Sequence, residues 1–83
     1  MEMSLAQSRK GQELIIVHIP DGVVRVQAIR FGIVEGAGVK CLEILPKGPV
    51  IIKKGWQEIA VGRRLAASIR VREKEADSDK RTA

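Results

Sequence analysis

One helix-like segment, placed between runs of β-branched residues, most constrains the fold of this chain. Over residues 23–31, Val24, Ala28 and Phe31 fall on one side of a helix, and Gly32 follows where a C-terminal glycine belongs. Apolar runs typical of strands flank the segment on both sides. In a chain of only 83 residues, this order predicts a mainly β fold: a small barrel of about five strands, with one short helix inserted after the first strand.

Runs rich in valine and isoleucine, separated by glycine and proline, mark the strands. In the first run, 13–19, both faces are largely apolar, which predicts a strand near the centre of the barrel. Proline presets the backbone at several of the turns, and glycine accepts conformations that other residues resist. We predict one turn of helix within 62–68 and five strands at 13–19, 39–45, 50–53, 56–61 and 69–71.

Composition divides the chain into three parts. Residues 1–10 show no clear period and are predicted to be a flexible N-terminal lead, followed by the barrel at 11–72. Residues 73–83 contain no large apolar side chain, which predicts a disordered charged tail. A domain this small buries only about 60% of the surface that its unfolded chain exposes, so a deep catalytic cavity is not expected.

The charge is compatible with several kinds of partner. The formal net charge of +5 is concentrated in residues 11–72 and can attract phosphates, anionic lipid or an acidic protein surface, although ordinary solubility gives similar values. No apolar run is long enough for a membrane helix, and residues 1–10 lack the apolar core of a signal peptide. We therefore expect a soluble, cytoplasmic protein that does not insert into membranes.

The residues that could carry chemistry lack partners. His18 is the single histidine, has no ligand cluster at metal-binding spacing, and is better explained as a strand residue on a partly exposed face. Cys41 lies in an apolar strand, where cysteine usually acts as a small hydrophobe. No serine–histidine–carboxylate motif or phosphate-loop pattern is present. We predict no catalytic residue, no metal site and no cofactor.

Basic and aromatic residues leave two binding hypotheses open. Single-strand nucleic-acid binders combine positive charge with stacking aromatics, but the aromatics here are only Phe31, expected in the core, and Trp56. Trp56 is equally well explained as a partly buried cap on the barrel or as an interface anchor. A solvated surface is the favoured explanation for the basic pairs, which are Lys53-Lys54, Arg63-Arg64 and Arg70/Arg72.

Four short motifs, in this order and spacing, resemble the bacterial FeoA family of ferrous-iron transport proteins. The resemblance covers about residues 11–72 and departs from the family pattern at Phe31 (usually leucine), Glu35 (proline) and Trp56 (tyrosine), and by the missing aspartate in the 46–49 loop. The motifs are Arg25…Ala28-Ile-Arg-Phe-Gly32-Ile-Val-Glu-Gly36, Pro46-Lys-Gly-Pro49, Gly55-Trp56 and Arg63-Arg-Leu-Ala-Ala-Ser-Ile-Arg-Val71.

The resemblance implies an SH3-like barrel with a non-enzymatic accessory role in ferrous iron uptake. Its expected partner is the cytosolic domain of the membrane transporter FeoB, contacted by the helix and the turn after it, with Arg25, Arg30 and Trp56 as exposed candidates. A related barrel is the C-terminal domain of metal-dependent repressors, so the alternative is an SH3-like regulatory or nucleic-acid-binding module. Nucleic acid is the less favoured partner, and self-association to a homo-oligomer stays open.

Overall fold

The β-branched runs form the strands of one antiparallel sheet. The computed structural model describes residues 2–74 of the chain. In chain order, its elements are β1 (Glu2–Ser4), a 3₁₀ turn (Leu5–Gln7), β2 (Glu13–His18), α1 (Val23–Arg30), β3 (Gly38–Ile44), β4 (Val50–Lys54), β5 (Gln57–Val61), α2 (Arg63–Ser68) and β6 (Arg70–Glu73).

The six strands follow the order β1-β6-β2-β3-β4-β5. This confirms the predicted mainly β fold with one short helix in the connection after the first long strand. β2 pairs with β3 on one side and β6 on the other, as expected for a strand with two apolar faces. Within residues 2–74, no strand pairing joins β1 to β5, so these two strands are the edges of the sheet.

The N-terminal segment corrects the prediction of a flexible lead at 1–10. β1 pairs with β6, from Glu2 opposite Arg72 to Ser4 opposite Arg70. Leu5 is completely buried in the core, and its backbone N–H donates to the Ile69 carbonyl at 2.9 Å. A three-residue strand followed by one core leucine is too short to produce a periodic pattern, which is why the sequence did not show it.

The C-terminal boundary also differs from the prediction. Glu73 is the last residue of β6 and lies opposite Leu14 of β2, so the sheet extends into the region expected to be a disordered tail. The backbone N–H of Lys74 donates to the Glu13 carbonyl at 2.8 Å. The rest of that predicted tail, residues 75–83, lies outside the described residues. α2 has six residues, more than the single turn predicted.

A β-bulge changes which side of β2 faces the core. Leu14 and Ile16 are buried, but the register with β6 shifts between Ile16 and His18, after which Ile19 is buried and His18 is exposed. Strict alternation along the strand would place Ile19 on the opposite face from Leu14. The core is aliphatic throughout and is made of Leu5, Leu14, Ile16, Ile19, Ala28, Ile33, Val39, Cys41, Val50, Ile52, Ile59, Val61, Ala66, Ile69 and Val71.

Candidate functional site

The C-terminal end of α1 is closed by backbone hydrogen bonds. The N–H of Gly32 donates to the Ile29 carbonyl and the N–H of Ile33 donates to the Ala28 carbonyl, both at 2.9 Å. This is the Schellman pattern, and Gly32 adopts the positive φ of 75° that the pattern requires, as its position in the sequence predicted. The return brings Ile33 into the core beside Ala28, and both are completely buried.

This closure leaves Phe31 at the surface. Its side chain is 46% exposed, so the prediction that Phe31 belongs to the core is wrong. The helix ends at Arg30, and Phe31 caps it with non-helical backbone, so the helical spacing from Ala28 no longer fixes the direction of its side chain. Ile33 occupies the buried position instead.

A groove separates the end of α1 from the edge of the sheet. Residues 30–32 form one wall and residues 57–60 of β5 form the other, around a volume of about 510 Å³. An adjoining cavity of about 490 Å³ shares Arg30, Phe31 and Ala60 and continues to Arg64 and Leu65 of α2. We call the two together the α1–β5 groove.

The arginines of this groove have no side-chain partners within residues 2–74. Neither Arg30 nor Arg64 makes a side-chain hydrogen bond or an ion pair with any residue from 2 to 74. Lys54 lies at the groove beside Gly32, because its Nζ is 3.4 Å from the point that a β-carbon of Gly32 would occupy. The single acidic residue in the walls is Glu58. The groove is therefore basic and its charges are available for a ligand.

The N-terminal end of α1 is held differently, by the carboxylate of Glu35. Glu35 Oε2 accepts hydrogen bonds from the Ile19 backbone N–H at 3.1 Å and from Arg25 Nη2 at 2.8 Å. His18 Nδ1 lies 3.5 Å from the same oxygen. One side chain thus joins the end of β2, the first turn of α1 and the turn before β3. The hydrogen bond from Ile19, followed by that from Arg25, lowers the pKa of Glu35 below its ordinary value.

Arg25 is part of this network. Its Nη2 also donates to the Ile19 carbonyl at 2.9 Å, and its Nε lies 3.2 Å from Asp21 Oδ1, too poorly aligned for a hydrogen bond. The hydrogen bond to Glu35 is the main cause that raises the pKa of Arg25 above its usual value. The side chain is only 33% exposed. Arg25 is therefore only partly exposed and its guanidinium is occupied by these internal contacts, while its role as a partner contact stays a prediction.

Trp56 stands in the turn between β4 and β5 and is 97% exposed. This excludes the partly buried cap and leaves the interface anchor as a prediction. The Lys53 ammonium lies 5.7 Å from the centroid of the indole ring, a cation–π distance. Trp56 directly precedes Gln57, which lines the α1–β5 groove. The structure therefore places Arg30 in the wall of the groove, Trp56 in the turn just before β5, and Arg25 at the other end of α1.

The two residues considered for catalysis or metal binding, Cys41 and His18, do not belong to a cluster of metal-binding side chains within residues 2–74. Cys41 is completely buried in β3, as predicted for a small hydrophobe. The side chain of His18 is 61% exposed, which agrees with a strand histidine on an exposed face. Among residues 2–74, no three histidine, cysteine, aspartate or glutamate side chains lie close enough together to hold a metal ion.

The basic pairs are distributed over the sheet. Arg70 and Arg72 lie on β6, while Lys53 and Lys54 lie on β4, with β2 and β3 between those strands. Arg63 donates to the Leu45 carbonyl at 2.8 Å. The pairs therefore do not form one continuous basic surface of the kind that follows a nucleic-acid backbone.

The comparison with family models identifies the fold. A model described as the FeoA domain matches residues 3–73. The chain therefore belongs to the FeoA domain family. The FeoA family consists of small accessory domains and is not a known enzyme family. None of the helices within residues 2–74 is long and apolar enough to cross a membrane. No curated protein matches the chain in sequence.

Solved structures confirm the SH3-like FeoA fold. The crystal structure of an iron uptake regulatory protein, FeoA, is 33% identical over 89% of this chain and 100% of that one, with a TM-score of 0.83. The solution structure of the FeoA protein from Chlorobium tepidum is 25% identical over 90% of this chain and 73% of that one, with a TM-score of 0.77. The manganese regulator SloR shares the fold alone, at 16% identity and a TM-score of 0.78, over 87% of this chain and 34% of its own.

Two features of the site were missed by the sequence reasoning. Glu35 appeared only as a departure from the family pattern, although a carboxylate that follows a helix carrying Arg25 is a signal for an ion pair. The α1–β5 groove depends on β5 being an edge strand, and the order of strands in a sheet is not visible in the local sequence.

Proposed function

We propose that this FeoA domain takes part in ferrous iron transport as a non-enzymatic accessory protein that docks onto the cytosolic domain of the transporter FeoB. Membership of the FeoA family and the match to a FeoA structure over 89% of this chain support this role. Docking to a cytosolic domain would place the protein in the cytoplasm.

The observation that carries the docking proposal is the full exposure of Trp56, at 97%, next in sequence to Gln57 of the α1–β5 groove. Within residues 2–74, Arg30 and Arg64 of that groove have no side-chain partner. Tryptophan and arginine are the residues most enriched at binding hot spots. Phe31 adds a second exposed aromatic ring, in the groove wall that also contains Arg30. Exposed side chains of this kind do not stabilise the fold, whereas a partner surface can bury them.

The test is a binding measurement between the full chain and the isolated cytosolic domain of the matching FeoB, by calorimetry. We expect Trp56→Ala and Arg30→Glu each to weaken binding by at least about tenfold, the loss expected on removing an interface anchor. Arg72→Glu is the matched control for Arg30→Glu, because Arg72 is also exposed but lies on β6, away from the groove.

Absence of binding at tens of micromolar, with the barrel folded, would reject FeoB docking. Equal losses for Arg30→Glu and Arg72→Glu would place the contact elsewhere and reject this surface. The alternative of a nucleic-acid-binding module has less support, because the basic pairs are spread over β4, α2 and β6. It predicts an affinity for RNA or DNA that falls steeply with salt.

A further inference from the structure

The two edges of the sheet are protected to very different degrees. β1 has only three residues, and both α2 and the 3₁₀ turn pack close to this edge. β5 has five residues and pairs with β4 in an uninterrupted register from Gln57 opposite Lys54 to Val61 opposite Val50. Natural edge strands are usually blocked by bulges, proline, lysine or a covering element. β5 contains no bulge, proline or lysine.

The outer side of β5 has no hydrogen-bonding partner within residues 2–74. β4 is its single neighbouring strand, and no turn, helix or side chain of that range donates to or accepts from the backbone of Gln57–Val61. An extended strand presents N–H and C=O groups on both sides, so one row of these groups is left for solvent or for a partner.

The α1–β5 groove runs along this free edge. Residues 57–60 are four consecutive residues, and all four line the same cavity. Successive side chains of a strand point to opposite faces, so four in a row can share one cavity only if the cavity follows the edge of the strand. The opposite wall, formed by Arg30 and Phe31, leaves space for another chain between helix and sheet.

We propose that this groove binds an extended polypeptide segment of the partner, rich in acidic side chains, which adds to β5 as a further strand. The backbone of the segment would pair with the outer side of β5, and its acidic side chains would meet Arg30, Arg64 and Lys54. The proposal deepens the docking function and rests on it, because it names how the partner is held.

The charge of the groove favours an acidic segment over a second copy of this chain. If two β5 edges paired around a two-fold axis, the arginines of both copies would meet at one interface. Like charges placed together oppose association. Glu58 alone would offset three basic side chains in each copy.

The test uses the full chain, labelled with ¹⁵N, and a capped peptide of about eight residues in which glutamate alternates with valine, long enough to span β5 at roughly 3.4 Å per residue. We expect the peptide to shift the amide resonances of residues 57–61 and to slow amide exchange on the outer side of β5 by at least about tenfold. The same peptide with lysine in place of glutamate should bind at least about tenfold more weakly.

Paired charge reversals provide the matched control. Arg30→Glu with Arg64→Glu should weaken binding of the glutamate peptide by at least about tenfold. Arg70→Glu with Arg72→Glu changes the net charge equally but lies on β6, between β1 and β2. This second double variant should bind the peptide as the parent does, apart from a small loss of long-range attraction.

Four results of the peptide experiments would overturn the inference, and so would a fifth result obtained without peptide. The first two are no shift of the amide resonances of residues 57–61 with about 1 mM peptide, and shifts of those resonances without slower amide exchange on β5. The other two are equal affinities for the lysine and glutamate peptides, and equal losses of peptide affinity in the two double variants. Dimerisation through β5 without peptide would overturn it in favour of self-association. If the FeoB domain binds and the peptide does not, this mode of contact fails while the docking function stands; the reverse result rejects FeoB and keeps the groove as a strand-binding site.

Discussion

At its N-terminal end α1 is held by side chains, whereas at its C-terminal end it is held by backbone. Gly22 caps the helix without a side-chain hydrogen bond, and Glu35 secures the first turn through Arg25 and the Ile19 backbone. At the other end, the N–H groups of Gly32 and Ile33 close the helix by themselves. Both ends of α1 are fixed, the N-terminal end by side-chain hydrogen bonds and the C-terminal end by backbone hydrogen bonds.

The difference determines which side chains are available for binding. Arg25 is occupied by Glu35, the Ile19 carbonyl and Asp21. The side chains of Arg30 and Phe31 are not needed for such contacts, because the backbone and Ile33 already stabilise the turn beside them. A helix end that is closed by its backbone can present its side chains to a partner at no cost to the fold.

The largest expected effect comes from breaking the C-terminal end at its buried residue. Ile33→Ala removes a completely buried side chain, and such truncations cost about 2–5 kcal/mol of the free energy of unfolding. Phe31→Ala, two residues away, removes a ring that is 46% exposed and should cost much less. Urea unfolding of both variants measures the difference. Equal losses would mean that Phe31 also supports the fold and is not free for binding.

A smaller effect is expected from the glycine of the same turn. Gly32→Ala forces a β-carbon into the positive φ of 75°, which costs about 1–2 kcal/mol, and places it 3.4 Å from Lys54 Nζ. Gly62→Ala is the matched control, since Gly62 has a φ of −55° and no atom within 4 Å of an added β-carbon.

Thermal unfolding of these two glycine variants checks the prediction. Gly62→Ala should cost less than Gly32→Ala, because its negative φ is accessible to alanine and the loss is limited to the preference of the α2 N-cap for glycine. A Gly32→Ala variant as stable as the parent would show that the C-terminal closure of α1 does not depend on the left-handed residue.

The sequence predicted those parts of the molecule that local chemistry determines. β-branched runs identified β2, β3, β4 and β5, and Gly32 was recognised because the Schellman turn is complete within residues 28–33. Phe31 was misplaced because the helical period was continued one residue beyond the last helical position, Arg30.

The remaining errors come from contacts between distant residues. Glu35 is 16 residues from Ile19 and 10 from Arg25, and the fold alone brings these groups together. Leu5 gave no signal because its burial depends on β6, at the far end of the chain. The free edge of β5 likewise follows from β6 inserting between β1 and β2, which leaves β5 at the end of the sheet.

The smallest expected effect concerns the N-terminal end and depends on pH. The folded-state pKa of Glu35 is lowered below its ordinary value of 4.5, chiefly by the Ile19 N–H and then by Arg25. Its contribution to stability is therefore complete above the unfolded pKa and is lost as the pH falls through the lower folded pKa.

Glu35→Gln should be less stable than the parent at pH 7, and the free energies of unfolding of the two proteins should converge in acid below that folded pKa. Glu58→Gln removes a carboxylate that makes no hydrogen bond or ion pair within residues 2–74, so it should follow the parent's curve. A constant gap between Glu35→Gln and the parent at every pH would mean that the Glu35 side chain holds this end of α1 by its shape and not by its charge. No gap at any pH would remove the contrast between the two ends.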